Sequence, residues 1–318
     1  MSRPLPLFAQ EPLLDFHAET LNGRYGIQLT WREAVGSDYI EIQRSDNGAT
    51  AWESWSESAG NQFVDTQVAC SHIYFYRARS VTGGVAGPWT SVVSANATPC
   101  APVAVSVYPV PGWYILDVAW IDIAPGETSV LLERSFDGAS WRELAELPPN
   151  TRYYADRFTS TKCSSSLFYR LRTVRDDVLS PYTAVYSNAV SPCAPTASRV
   201  ELVYEGARVR LHWRDNAPDE TGFEVWRRSD ANHASQLVAT LPTADAVGAS
   251  LAWEDEAPDC QARNYYQIRA IRGANSASPW EPRTPDQLMV YVPNCPDPTS
   301  KPVELSIHPP ITIFPPAN

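Results

Sequence analysis

Histidines are the first residues to test for acid–base or metal chemistry. His17, His72, His212, His233 and His308 are scattered along the 318-residue chain with no recurring spacing. No Gly-x-Ser-x-Gly elbow, His-Glu-x-x-His helix or phosphate-cradling glycine loop accompanies them. Two acidic passages, "DNAPDETG" (Asp215 to Gly222) and "WEDEAPDC" (Trp253 to Cys260), have the carboxylates a calcium ion needs. Neither has the ligand spacing of an EF-hand loop, and both read as solvated turns; paired acids such as Asp219 and Glu220 lie in them. The six cysteines, Cys70, Cys100, Cys163, Cys193, Cys260 and Cys295, lack the short Cys-x-x-Cys pairs that zinc modules use. These residues predict a protein that is not an enzyme, with no cofactor and no metal site.

Charge and composition narrow the class. A formal charge of −11, with Lys162 and Lys301 as the only lysines, predicts no nucleic-acid partner and no attraction to an anionic lipid surface. No run of about 20 apolar residues occurs, so no membrane insertion is expected. With 28 prolines against 15 glycines, the chain suits many short strands joined by stiff turns. The N-terminal "MSRPLPLFAQEP" has an apolar stretch too short and too broken for a signal-peptide core, which read literally predicts a cytoplasmic protein. The cysteines argue the other way.

Trp31, Trp120 and Trp213 each lie in an alternating strand, "GIQLTW", "ILDVAW" and "VRLHW", at a period of about 90 residues. A second strand follows each ("YIEIQRS", "VLLERS", "GFEVWRRS"), turning Ile40 and Ile42, Val130 and Leu132, and Phe223 and Val225 to one face. Later come "YRARSV", "YRLRTV" and "YQIRAI", where Tyr76, Tyr169 and Tyr266 face inward and Arg79, Arg172 and Arg269 face water. An early buried Trp and a late buried Tyr in each unit describe a β-sandwich. The order of these landmarks resembles the fibronectin type III family, and "WRDNAPDETGFEVWRRS" is similar to its secreted bacterial members. The resemblance covers residues 12 to 295 and implies an all-β fold of three immunoglobulin-like sandwiches in an extended rod. It implies domains at 12–100, 101–193 and 194–295, between an N-terminal arm (1–11) and a proline-rich tail (296–318).

In that fold the loop ahead of the tyrosine strand reaches the pole where the last strand ends. Cys70, Cys163 and Cys260 stand six residues before the tyrosines, and Cys100, Cys193 and Cys295 close the repeats. The resemblance therefore implies bridges 70–100, 163–193 and 260–295. Closing each loop of roughly 30 residues contributes about 3–4 kcal/mol through the unfolded state in the chain-entropy model. Such bonds persist outside the reducing cytosol, so an extracellular or cell-surface location is expected, which is reconciled with the N-terminus if the sequence is a mature or truncated product or if its start codon is mis-set.

Several short stretches invite sharper readings. "WESWSES", Trp52 to Ser58, nearly spells the Trp-Ser-x-Trp-Ser box of cytokine receptors, but it precedes the strand that such a box should follow. It reads as a turn and strand, with Trp55 at a position held by Leu144 in the second repeat and Trp52 at an outer face or edge, a candidate ligand contact. "ILDV", Ile115 to Val118, resembles an integrin-binding tetrapeptide but forms mid-sheet strand, and Arg272-Gly273 is followed by Ala274 rather than Asp. Asn96-Ala97-Thr98 fits the N-glycosylation acceptor pattern.

The tail "PDPTSKPVELSIHPPITIFPPAN" repeats the alternation that opens the earlier domains, through Val303, Leu305 and Ile307, then Ile311, Ile313 and Phe314. It reads as a plain disordered linker, as the start of a fourth repeat in a longer chain, or as a strand donated to another copy in a fibre. The sequence thus predicts a non-enzymatic extracellular structural protein, a surface-appendage or filament subunit or stalk, whose partners are other protein chains, copies of itself included. The alternative is a ligand- or carbohydrate-binding accessory region of a larger secreted enzyme or adhesin, with a surface glycan as partner.

Overall fold

Period-two alternation dominates the described chain, and nearly all of its regular structure is strand. The computed structural model describes residues 12–295 except 33, 205, 206, 244 and 245. The arm and the tail, including Val303, Leu305, Ile307, Ile311, Ile313, Phe314 and His308, lie outside the described residues.

The first repeat contains β1 (His17–Thr20), β2 (Ile27–Thr30), β3 (Tyr39–Ser45), β4 (Glu53–Ser58), β5 (Gln62–Asp65), β6 (Ile73–Thr82), β7 (Val85–Ala86) and β8 (Val93–Asn96). The second contains β9 (Val103–Pro109), β10 (Ile115–Ile121), β11 (Ser129–Ser135), β12 (Arg142–Leu147), β13 (Tyr153–Arg157), β14 (Ser166–Arg175), β15 (Val178–Leu179) and β16 (Tyr186–Ala189). The third contains β17 (Thr196–Val203), β18 (Arg208–Arg214), β19 (Gly222–Ser229), β20 (Gln236–Pro242), β21 (Ser250–Asp255), β22 (Ala262–Arg272), β23 (Ser276–Ala277) and β24 (Met289–Val292). Each repeat forms the same two antiparallel sheets. One has three strands, β1-β2-β5 and its equivalents β9-β10-β13 and β17-β18-β21. The other has five, β4-β3-β6-β7 with β8 also on β6, and likewise in the other repeats. This is the fibronectin type III-like sandwich, three times in tandem.

The inward rows explain why the sheets pack. In "ILDVAWI" of β10, Leu116, Val118 and Trp120 are buried while Ile115, Asp117 and Ala119 turn outward. Trp31, Trp120 and Trp213 are each nearly buried, and Tyr76, Tyr169 and Tyr266 are wholly so. Burying a large aliphatic side chain stabilises by about 1.5–3 kcal/mol, and each repeat fully encloses several of that kind or larger, Ile27, Leu29 and Tyr76 in the first, Leu116, Leu132 and Tyr169 in the second, and Leu211, Phe223 and Tyr266 in the third. Between the second and third inward residues of β3, β11 and β19, the pairing to the neighbouring strand shifts by one. The extra residue of that bulge is Trp55, Leu144 or Val238.

The described chain divides into two compact units. The first comprises the described residues up to Pro109 with Ile115–Phe158 and Ser165–Val190; the second comprises Val110–Tyr114, Thr159–Ser164 and the described residues from Ser191 on. Inside the first unit, the Thr173 hydroxyl donates to the Cys100 carbonyl at 2.7 Å and buried Arg175 donates to the Ala97 carbonyl at 2.7 Å. Inside the second, the Gly112 N–H donates to the Ala277 carbonyl at 2.8 Å, and the Ala194 N–H to the Tyr114 hydroxyl at 3.0 Å. Among the described residues no helix is long and apolar enough to cross a membrane.

Candidate functional site

Three side-chain constellations recur at equivalent positions, and each is positioned by strand alternation. The first is the cysteine pair. Bonds join Cys70 to Cys100, Cys163 to Cys193 and Cys260 to Cys295, with Cα atoms 4.8–4.9 Å apart, inside the range such bridges need. Each ties the loop ahead of β6, β14 or β22 to the end of its repeat. All six thiols are consumed, so none is a nucleophile or a metal ligand.

The second is buried and was not anticipated from the sequence. Tyr76 donates its hydroxyl to Asp65 at 2.9 Å, and Arg44 donates to the same carboxylate at 2.9 Å. The second repeat matches with Tyr169 and Arg134 on Asp156, at 2.7 and 2.8 Å. The third matches with Tyr266 and Arg227 on Asp255, at 2.8 and 2.6 Å. Burial first, and the adjoining carboxylate second, push all three phenols far above their ordinary value of 10.0. A phenol held that firmly protonated is a permanent donor, not an acid catalyst. Burial works against the Arg227 charge, yet Asp255 raises its pKa on balance. The signal was present in the sequence: Ile40-x-Ile42-x-Arg44 continues an apolar row with an arginine, as do Val130-x-Leu132-x-Arg134 and Phe223-x-Val225-x-Arg227.

The third lies on the outer face of the five-stranded sheets. The Arg77 guanidinium sits 4.4 Å from the Trp52 ring and 4.5 Å from Trp89, and Arg79 sits 4.1 Å from Trp89. Arg170 stacks between Trp141 and Tyr182, at 4.3 and 3.8 Å, with Arg172 on Tyr182 at 4.4 Å. Arg269 lies 4.3 Å from Trp280, which meets Trp226 edge-on at 5.9 Å. Glu41, Glu133 and Glu224 pair with arginines of these stacks at 2.6–2.7 Å. The expectation that Arg79, Arg172 and Arg269 simply face water is corrected: they point outward, but aromatic rings from "GPWTS", "SPYTA" and "SPWEP" cover them. Trp52 is half-buried and gives one ring face to Arg77. Each such contact is worth about 0.5–2 kcal/mol depending on its exposure.

The remaining candidates fall apart spatially. His72 faces Asp46 at 3.5 Å, and His212 faces Glu201 at 2.9 Å on β18, an outward but only partly exposed pair. In "DNAPDETG", Asp219 pairs with Arg272 and Asp215 is buried, its carboxyl raised above 3.8 chiefly by burial. In "WEDEAPDC", Asp255 belongs to the buried triad. Among the described residues no group of three His, Cys, Asp or Glu is gathered to hold an ion. In the acceptor pattern at Asn96, buried Thr98 donates its hydroxyl to the Leu21 and Arg24 carbonyls, which gives that side chain a structural role of its own. "ILDV" lies within β10, paired on both sides. Shallow clefts open beside the bulge in the second repeat (about 530 Å³, lined by Arg134, Phe136 and Leu144) and in the third (about 630 Å³, lined by Val238, Trp253 and Glu254). In the first repeat Trp55 occupies that position under the Arg44 guanidinium, 3.2 Å away.

No protein-family model matches the chain, and no curated protein matches it. Solved structures similar to it include the FN1-FN3 domains of chicken CNTN1, 12% identical over 89% of this chain and 100% of that chain, with a TM-score of 0.34. An Fn3-like protein from Clostridium thermocellum is 20% identical over 27% of this chain and 92% of that one, with a TM-score of 0.26. Likenesses this loose carry no argument about activity; the fold assignment stands on strand order and register.

Proposed function

We propose that this chain of three fibronectin type III-like sandwiches is a non-enzymatic extracellular structural protein, a subunit of a surface appendage or filament, or a stalk. The observation that carries the reading is the disulfide repeated at one place in every sandwich. A bond between the loop before the tyrosine strand and the end of the repeat resists unravelling from the outgoing chain, and it persists where no cytosolic reductant acts. The recurring charged and aromatic constellations support the same reading, since they lock ionisable groups into pairs within each sandwich. Assembly proceeds by strand addition, the alternating Val303, Leu305 and Ile307 segment of one copy pairing with a sheet edge of another.

The test has two arms on the full chain made in an oxidising compartment. Unfolded without reductant, the protein should take up no alkylating label, and after reduction it should take up six, one per cysteine. Six labels without reductant would remove the extracellular reading. Negative-stain microscopy of the chain and of a deletion of residues 296–318 should show polymers only for the former. Polymers that survive the deletion would eliminate strand donation.

A further inference from the structure

The outward face of β9-β10-β13 is unlike its two counterparts in the same chain. Register sets Tyr108 and Ala155 on either side of Asp117, Ser106 and Tyr153 on either side of Ala119, and Val103 opposite Ile121. In the first repeat, the points held by Tyr108, Asp117 and Tyr153 are Glu19, Gln28 and Gln62. In the third they are Glu201, Arg210 and Ala252. There the charges answer one another, Arg210 meeting Glu254 at 2.5 Å and Glu201 at 3.5 Å. The second repeat has no such ladder. It presents Val103, Tyr108, Ile121 and Tyr153, each 41–53% exposed, around one carboxylate. Four large apolar side chains on one solvent-facing side of a sheet form a patch rather than scattered singles.

The patch has internal order. Tyr153 donates its hydroxyl to Asp117 Oδ1 at 2.5 Å, reaching diagonally from β13 to the middle strand and drawing its ring along the sheet. That hydrogen bond first, and partial burial second, push the phenol up to about 12. A carboxylate offers about four acceptor sites, and Tyr153 uses one of them. Strands about 4.8 Å apart put the Tyr108 and Tyr153 rows roughly 10 Å apart across the sheet, with Asp117 between them.

The chemistry of this face selects its occupant. The sealed centre of a protein interface is depleted of charged residues, because an unpartnered carboxylate buried there costs several kcal/mol. Phosphate backbones and anionic lipid are repelled by Asp117 and by a chain carrying −11. A neutral ligand with apolar ring faces and many hydroxyl donors meets every requirement, stacking on the tyrosines while the carboxylate stays wet. We propose that this face binds a neutral polysaccharide, with Tyr108 and Tyr153 stacking on separate sugar rings and Asp117 accepting hydroxyls between them. Arg157, opposite Ile115, flanks Asp117 diagonally on the side away from Tyr153 and is near enough to act on the Tyr153 phenol, so it offsets part of the carboxylate's charge without lying between the two rings. The proposal holds whether or not the tail mediates assembly.

Native gels cast with hydroxyethylcellulose, laminarin, xylan or anionic polygalacturonate test it on the full chain. Retardation is expected in at least one neutral gel and not in polygalacturonate. Tyr108→Ala with Tyr153→Ala should weaken apparent affinity at least tenfold, while the paired Phe variant, which keeps both rings, should retain most of it. Trp52→Ala should bind as the parent does, because Arg77 already occupies a face of that ring. Unchanged thermal melts of the exposed variants confirm folding. No retardation in any neutral gel, or full retardation of the Ala variant, would overturn the proposal. So would self-association in size-exclusion that the Ala variant abolishes while no gel retards either protein, since the face would then be a protein contact.

Discussion

At the scale of single residues, the strongest constraint is the carboxylate buried in each sandwich. Asp255 is 5% exposed, and its charge is tolerated because two side-chain donors, Arg227 and Tyr266, reach one oxygen while the Ala257 N–H donates to the other at 3.1 Å. The two donors are not equivalent. Removing the guanidinium with Arg227→Met leaves a buried charge uncompensated, a loss of about 3–5 kcal/mol. Tyr266→Phe removes one hydrogen bond to a charge that keeps its ion pair, a loss of about 2 kcal/mol. Urea unfolding of the third repeat, followed by amide exchange within β22, should rank the variants in that order. The reverse order would mean that the phenol, not the ion pair, holds the carboxylate. An arginine ending an apolar row is what made this triad readable in principle. It went unread because alternation alone treats any polar residue near a strand end as facing solvent, whereas these arginines reach across the sandwich to β5, β13 and β21.

At the scale of elements, most of the fold was legible, for a mechanical reason. Two-residue periodicity puts Ile40 and Ile42 or Leu116 and Val118 on one face whatever the partners are, so strands and their buried faces follow from local sequence. The arginine–aromatic stacks were not legible, since Trp52, Arg77 and Trp89 come from three strand regions and meet only once the sheet is assembled. The aromatic face of the second repeat was hidden similarly: Tyr108, Asp117 and Tyr153 become neighbours only through register. Turns fall between these cases. After β11, the Ala139 and Ser140 N–H groups donate to Asp137 at 2.8 and 2.7 Å, and Ser135 donates its hydroxyl at 2.8 Å. After β3, Asn47 accepts from Ala49 and Thr50 in the same way, with Gly48 and Gly138 both at positive φ near the left-handed region. The Ser140 N–H foremost, then that of Ala139, hold the exposed Asp137 carboxyl well below its ordinary 3.8. A depressed folded-state value means the turn contributes fully above 3.8 and loses that contribution as pH falls below it. Asp137→Asn, copying the first repeat, should therefore have a lower urea midpoint than the parent near neutrality, with the gap narrowing on acidification to about pH 2.5 because only the parent has that contribution to lose. Equal acid sensitivity of the two proteins would show that the carboxylate's charge is irrelevant to the turn.

At the scale of the molecule, the question is whether folding of one repeat is felt by the next, and the first compact unit supplies a route. Arg175 ends β14 only 8% exposed, and burial lowers its pKa. It donates to the carbonyl of Ala97, a residue of the first repeat, and fully buried Thr173 donates to that of Cys100. The Leu179 N–H donates to the Asn22 side chain at 2.9 Å, and the Gly23 N–H to the Leu179 carbonyl at 2.8 Å. A buried guanidinium whose partner belongs to the preceding sandwich is satisfied only while that sandwich is folded, so its desolvation cost couples the two stabilities. The coupling should be about 1–3 kcal/mol. It can be measured in the intact chain by weakening the first repeat from within: Tyr76→Phe should lower hydrogen-exchange protection in β6 and also in β14 of its neighbour. Adding Arg175→Ala and Thr173→Val should confine the loss to β6. If β14 remains equally protected under Tyr76→Phe alone, the repeats unfold independently and the buried hydrogen bonds between them are mechanically silent. If β14 responds even without Arg175 and Thr173, coupling runs through the short Ala101-Pro102 connection instead.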